Sequence, residues 1–260
     1  MITLSDLQKY LDNYLYFDKN LDLVKIDPYM TNGLMVKGAG DIDKIGFGVS
    51  ASIALFHKAK DTDCQCIIVH HSFNQPSNNR YDYIFQERIA FLIRNNISLF
   101  GYHFLLDAHP EIGNNVQIIK AIEAKPKEPY FQSNEPWGWI GEYQKDKELT
   151  YIINLLKHKL SPRTLFYNYG PINIKKVAVC SGKGAPSPSE MQDLINKKID
   201  LYITGEAHEW NRELFREAKI NFIAGGHYHT EIFGIEALVD KVKKQFSDVK
   251  TEWLDLDNQV

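Results

Sequence analysis

Leu7, Tyr10, Leu11, Tyr14 and Leu15 recur at the three- and four-residue spacing of one helical face. Thr3 stands three residues ahead of Asp6, a relative of the capping box, so the chain is predicted to open with an amphipathic helix. After a stretch punctuated by Asn32-Gly33 and Gly38-Ala39-Gly40-Asp41, residues 44–49 predict a strand, 52–60 a helix and 64–69 the next strand. The alternation continues with a helix at about 81–94, a strand at 97–102 and a helix at 115–124. Strands alternating with helices of this length imply crossover units and a largely parallel sheet.

Pro126, Pro129 and Pro136 then cluster among polar residues, and a domain boundary is expected there, near residue 126. Beyond it, strands are predicted at 137–143, 165–169, 176–180, 201–204 and 222–224. Helices are predicted at 147–160, 189–197, 209–218 and about 231–246. The expected fold class is α/β. Two α/β/α layered domains, 1–126 and 127–260, are expected, with mostly parallel or mixed sheets and the ligand site between them, and the C-terminal helix is placed to pack back on the first domain. A chain of 260 residues is long enough for both cores.

Composition narrows the function classes. Hydrophobic residues make up 44% and charged residues 24%, ordinary for a globular protein and against disorder or a coiled-coil rod. A net charge of −3 without long like-charge blocks leaves no electrostatic footprint for nucleic acid or an anionic membrane. No apolar run approaches the roughly 20 residues of a bilayer span, and residues 1–6 lack a secretory-signal pattern, so a cytoplasmic location is expected. Cys64, Cys66 and Cys180 sit in or beside apolar strand-like runs and read as small buried hydrophobes.

In open parallel sheets the ligand site lies beyond the carboxyl ends of the strands. Those positions here hold His70-His71, His103 with Asp107, Glu206 with His208, and His227 with His229 and Glu231. Six of the nine histidines and three carboxylates thus fall at four strand exits. Imidazole and carboxylate without thiolate suit zinc, iron, manganese or nickel, and five or more such donors exceed what one tetrahedral ion uses. Two divalent ions roughly 3.5–4 Å apart, sharing a carboxylate, would use them and make metal-assisted hydrolysis the natural reaction class.

The residues Asn32-Gly33-Leu34, Ile67-Ile68-Val69-His70-His71 and the run from Tyr102 to Asn115 resemble the Nif-three-like dinuclear-metal family, known as GTP cyclohydrolase 1 type 2 homologues. So do Val177–Gly182, Ile203-Thr204-Gly205-Glu206 and the run from Ala224 to Glu231, so the resemblance covers nearly the whole chain. It implies metal ligands at His70, His71, Asp107, His227 and Glu231, with Glu231 bridging, and an additional active-site histidine, His103. It implies a homohexamer and a small-molecule substrate, GTP, whose imidazole carbon a metal-bound hydroxide would attack. The family commonly follows His-His with proline, whereas Ser72 stands here, which changes loop rigidity but removes no ligand.

Other signals stay open between two readings. Lys183, in Cys180-Ser181-Gly182-Lys183-Gly184, is a substrate-phosphate contact or part of a plain turn, since the loop lacks phosphate-binding spacing. Glu206 and His208 are candidates to orient metal-bound imidazoles or to touch substrate, and His109 reads as a loop cap. The aromatic stretch from Tyr130 to Tyr143 reads as core or subunit contact, and it is the candidate contact surface. Two functions compete with the hydrolase: a non-catalytic metal-binding or regulatory assembly protein, and a two-metal phosphoesterase.

Overall fold

The computed structural model describes residues 1–30, 32–74, 80–256 and 258. In chain order the first half carries β1 (Ile2–Thr3), α1 (Leu4–Leu15), α2 (Leu23–Ile26), β2 (Asn32–Val36), β3 (Asp41–Ile42), β4 (Lys44–Ser50) and α3 (Ile53–Asp61). It continues with β5 (Cys66–His71), α4 (Tyr83–Arg94), β6 (Ser98–Tyr102) and α5 (Phe104–Ala108). There follow α6 (Asn114–Ala121), β7 (Lys125–Gln132), β8 (Glu135–Glu148), α7 (Leu149–Leu156), β9 (Leu165–Tyr167), β10 (Asn173–Cys180) and α8 (Pro188–Asn196). The chain ends with β11 (Leu201–Thr204), α9 (Asn211–Ala218), β12 (Asn221–Ala224), α10 (His227–Gln245) and β13 (Lys250–Trp253). Two compact units result: Met1–Leu106 with Ile235–Asp257, and Asp107–Gly234.

The first unit holds a five-stranded sheet in the order β13-β4-β5-β6-β2. Its first four strands run parallel and β2 is antiparallel to β6. Helix α1 forms as its spacing predicts: the Thr3 hydroxyl oxygen accepts from the Asp6 amide at 3.1 Å, and Leu4, Leu7, Leu11 and Leu15 are buried. Strands β5 and β6 are buried almost throughout, as central strands covered on both faces must be. Gly101 in β6 leaves the space that Ser72 fills, for a Cβ there would run into the Ser72 side chain. Ser72, where proline is usual, is therefore packed against the sheet rather than held by a ring.

The second unit holds a six-stranded sheet, β7-β8-β10-β11-β12-β9. Strands β10, β11 and β12 are parallel, flanked by antiparallel β8 and β9. The class is thus mixed α/β. Pro126 and Pro129, beside which a domain boundary is expected, lie in β7, an edge strand, where a missing N–H can face away from the ladder. Tyr130 and Tyr143, in the stretch read as core or subunit contact, are core residues, whereas Phe131 between them is 52% exposed. Phe215 stacks on Phe222 with ring centroids 4.3 Å apart, under Tyr202, and anchors a second apolar cluster of this unit. The three cysteines are free and buried. Among the described residues no helix is long and apolar enough to cross a membrane.

Candidate metal centre

Each unit holds its own donor set. In the first, β5 delivers His70 and His71, and the exit of β6 delivers His103. One ring nitrogen from each of the three lies within 4.8 Å of the others, and the ring centroids are 4.6–5.3 Å apart. Three imidazoles this close would repel if all were charged, whereas three neutral rings form a ligand set for one ion.

The supporting bonds show which nitrogens are offered. His70 Nδ1 donates to the Tyr102 carbonyl at 3.0 Å, and His71 Nδ1 lies 3.0 Å from Ser50 Oγ. His103 Nδ1 is 2.8 Å from Asp27 Oδ2. Strand register makes the Ser50 contact, since Ser50 pairs with His71 across β4–β5, and it sets Asn32 opposite Tyr102, the residue before His103. Metal-binding imidazoles commonly engage one nitrogen this way and ligate with the other. Burial works to raise the Asp27 pKa, but hydrogen bonds from His103, Asn32 and Phe104, with the charge of a protonated His103, outweigh it and hold the carboxyl below its ordinary value.

In the second unit, Cys180, Thr204 and Ala224 lie side by side at the ends of parallel β10, β11 and β12. Their exits are stitched together: the Gly205 and Glu206 amides donate to the Gly182 carbonyl at 3.1 and 3.0 Å, and Gly226 donates to Gly205 at 2.9 Å. Helix α10 begins at His227, four residues earlier than its periodicity predicts, so His227 and Glu231 stand one turn apart, with Nε2 and Oε1 at 3.2 Å. Glu206 Oε1 takes the other nitrogen of His227, Nδ1, at 2.5 Å. Burial alone would lower the His227 pKa, but Glu231 and Glu206 outweigh it and push it up to about 9.

Asp107 is buried and tied down from several sides. Its Oδ1 accepts from Asn114 Nδ2 and from Ser181 Oγ, each at 2.9 Å, and its carbonyl accepts from Asn115 Nδ2 at 3.1 Å. Neither asparagine has a role in the sequence reading. The available signal is a pair of amides, both 0% exposed, opening helix α6 ahead of the buried Val116, Ile118 and Ile119. His109 accepts the Glu111 and Ile112 amides on Nδ1 and is a loop cap. His208 stacks on Trp210, with ring centroids 5.3 Å apart, and Lys183 is exposed on its loop. Thus Glu206 reaches a candidate ligand, while His208 is held by its neighbour.

Two expectations arise from this geometry. Gly182 has φ +58°, and a Cβ there would run into Glu231 Oε1 and close on His227 Nε2. Gly182→Ala should therefore cost about 1–2 kcal/mol for the left-handed backbone and displace the Glu231 carboxylate. Metal content per chain should drop further than the melting temperature suggests, as elemental analysis and calorimetry would show.

The second concerns pH. In metal-free protein the raised His227 pKa contributes stability that is complete below the ordinary value of 6.5 and lost as pH rises through about 9. Glu206→Gln should shift that loss to lower pH and shrink it, measured as Tm across pH 6–10 in chelator.

The sequence profile of the Duf34/NIF3 (NGG1p interacting factor 3) family matches residues 3–259. A Pyrococcus horikoshii protein called GTP cyclohydrolase 1 type 2 homolog is 33% identical over 252 residues, covering 96% of each chain. One of the same name from Pasteurella multocida is 35% identical over 238 residues, 90% of this chain and 92% of that one. Among solved structures, protein ybgI, described as of unknown function, superposes with a TM-score of 0.83 at 29% identity over the whole of both chains. A Thermus thermophilus protein does so at 0.80 and 26%, again over both chains in full. Matched along nearly its whole length, with its histidine pair and its His-x-x-x-Glu in place, the chain belongs to the Duf34/NIF3 family.

Proposed function

We propose that the protein is a metal-dependent hydrolase in which His70, His71, Asp107, His227 and Glu231 hold two divalent ions, with Glu231 shared between them. The observation that carries the reading is the anchoring of Nδ1 in His70, His71 and His227 by Tyr102, Ser50 and Glu206, the arrangement that prepares Nε2 for a metal. Oxygen and nitrogen donors without thiolate fit zinc, iron, manganese or nickel. Divalent ions held there supply Lewis acidity and an activated water, chemistry suited to opening a purine ring or cleaving a phosphoester.

The chain's own groups do the rest. Asp107, fixed by Ser181 and Asn114, presents a carboxylate that cannot swing away. Glu206 stabilises His227 in the tautomer that leaves Nε2 as the ligating nitrogen. His103 moves a proton to or from the reacting group, since an imidazole can both accept and donate one. Lys183 is assigned to an anionic part of the substrate. The relatives' name, GTP cyclohydrolase 1 type 2 homolog, supports a purine nucleotide as that substrate; the family resemblance supports a homohexamer, and the sequence pattern of residues 1–6 a cytoplasmic location.

The test is to purify the protein with its metals intact, quantify them, and assay GTP, other nucleotides and phosphoesters with and without chelator. Two ions per chain and chelator-sensitive turnover of a purine nucleotide are expected. Ions with every coordination position filled by protein, and no turnover, would favour the non-catalytic assembly protein instead. Light scattering that returns the monomer mass at every concentration would exclude the hexamer.

A further inference from the structure

A 2.8 Å contact ties the His103 ring to a residue 76 positions away that no metal pattern includes. Asp27, in the turn that ends α2, is buried, with only 8% of its surface exposed. Its Oδ2 accepts from His103 Nδ1 at 2.8 Å, from Asn32 Nδ2 at 3.1 Å and from the Phe104 amide at 3.3 Å. Asn32 acts beside it: its Oδ1 accepts the His103 amide at 3.0 Å and the Leu105 amide at 3.2 Å, so the opening backbone of α5 is capped chiefly by the asparagine. Capping does not account for the carboxylate. An asparagine already serves the backbone, and the imidazole makes the tightest of the three Asp27 bonds.

A buried carboxylate against one nitrogen of an imidazole decides where that ring carries its proton, because an ionised carboxylate only accepts. With the proton on Nδ1, Nε2 keeps its lone pair, the state required of a proton acceptor. We propose that Asp27 is the positioning residue of His103, holding the ring in the Nδ1–H tautomer beside His70 and His71, with Asn32 locking the backbone on which the ring is carried. The inference rests on the reading of His103 as the proton-transfer group, but its test needs neither an identified substrate nor a bound metal.

The experiment is a long-range 1H–15N correlation spectrum of the imidazoles in the full-length, 15N-labelled protein, after chelator and again after zinc loading, with His103 assigned by His103→Gln. The wild-type protein should show His103 as a single tautomer with Nδ1 protonated and Nε2 not. Asp27→Asn should give a mixture of tautomers, whereas Asn32→Ala, which leaves the carboxylate, should keep the single one. For any substrate turned over, Asp27→Asn should lower kcat about 10²- to 10⁴-fold, the range for a displaced acid–base group, with KM little changed. Wild-type His103 protonated on Nε2, or an unchanged tautomer in Asp27→Asn, overturns the proposal. Because the wild-type spectrum suffices, a variant that fails to fold does not rescue it. An Nδ1–H tautomer with no turnover of any nucleotide or phosphoester would instead count against the hydrolase reading alone.

Discussion

Glu231→Gln is expected to strip more metal from the protein than replacing any one of His70, His71 or His227 with alanine. Glu231 is 2% exposed and stands 3.2 Å from His227 Nε2, under the Gly182 turn, so its carboxylate cannot be replaced by a neighbour swinging in. The substitution keeps the shape but removes the charge and turns one acceptor oxygen into a donor. If the carboxylate serves two ions, both lose a ligand and the countercharge that offsets their mutual repulsion. Affinity should then fall by more than the roughly 10- to 100-fold that losing a supporting hydrogen-bond partner costs. Each single histidine variant should keep one ion. Equal, partial losses across all five ligand variants, measured by elemental analysis after dialysis, would argue against a shared pair.

His103→Ala should retain both ions and lose about 10²- to 10⁴-fold in turnover, the contribution expected of a positioned proton-transfer group. The geometry makes this a sharp test because the ring centroid of His103 lies 5.0 Å from that of His70 and 5.3 Å from that of His71, close enough to ligate as well as to transfer protons. Only the metal content of the variant separates these roles. If metal is lost along with turnover, His103 is a third imidazole ligand. In that event Asp27 supports a ligand instead of an acid–base group.

The alternation of apolar runs with helical periodicity was sufficient to predict the α/β class, because burial on both faces makes central strands such as β5 and β6 continuously apolar. Helix α1 was legible down to its cap, since Thr3 and Asp6 interact within one turn. The same locality exposed the candidate ligands: titratable residues directly after strands are conspicuous wherever they occur. Edge elements were less legible. Strand β7 reads as a proline-rich boundary because its edge position relaxes the need for every N–H, and the short strands β2 and β13 carry too few alternating positions to stand out.

What no local pattern could supply is the set of partners that gives the candidate ligands their chemical state. Asp27 reaches His103 across 76 residues, Ser181 reaches Asp107 across 74, and Glu206 reaches His227 across 21. Strand register contributes by placing Asn32 opposite Tyr102, just ahead of His103, and by aligning Cys180, Thr204 and Ala224, just ahead of Ser181, Glu206 and His227. Which residue types stand at the strand ends follows from runs of a few neighbouring side chains and is written in the chain itself. Which nitrogen each histidine offers, and which carboxylates are held rigid, follows from folding, because tautomer, charge and orientation depend on groups that only folding brings within hydrogen-bond reach.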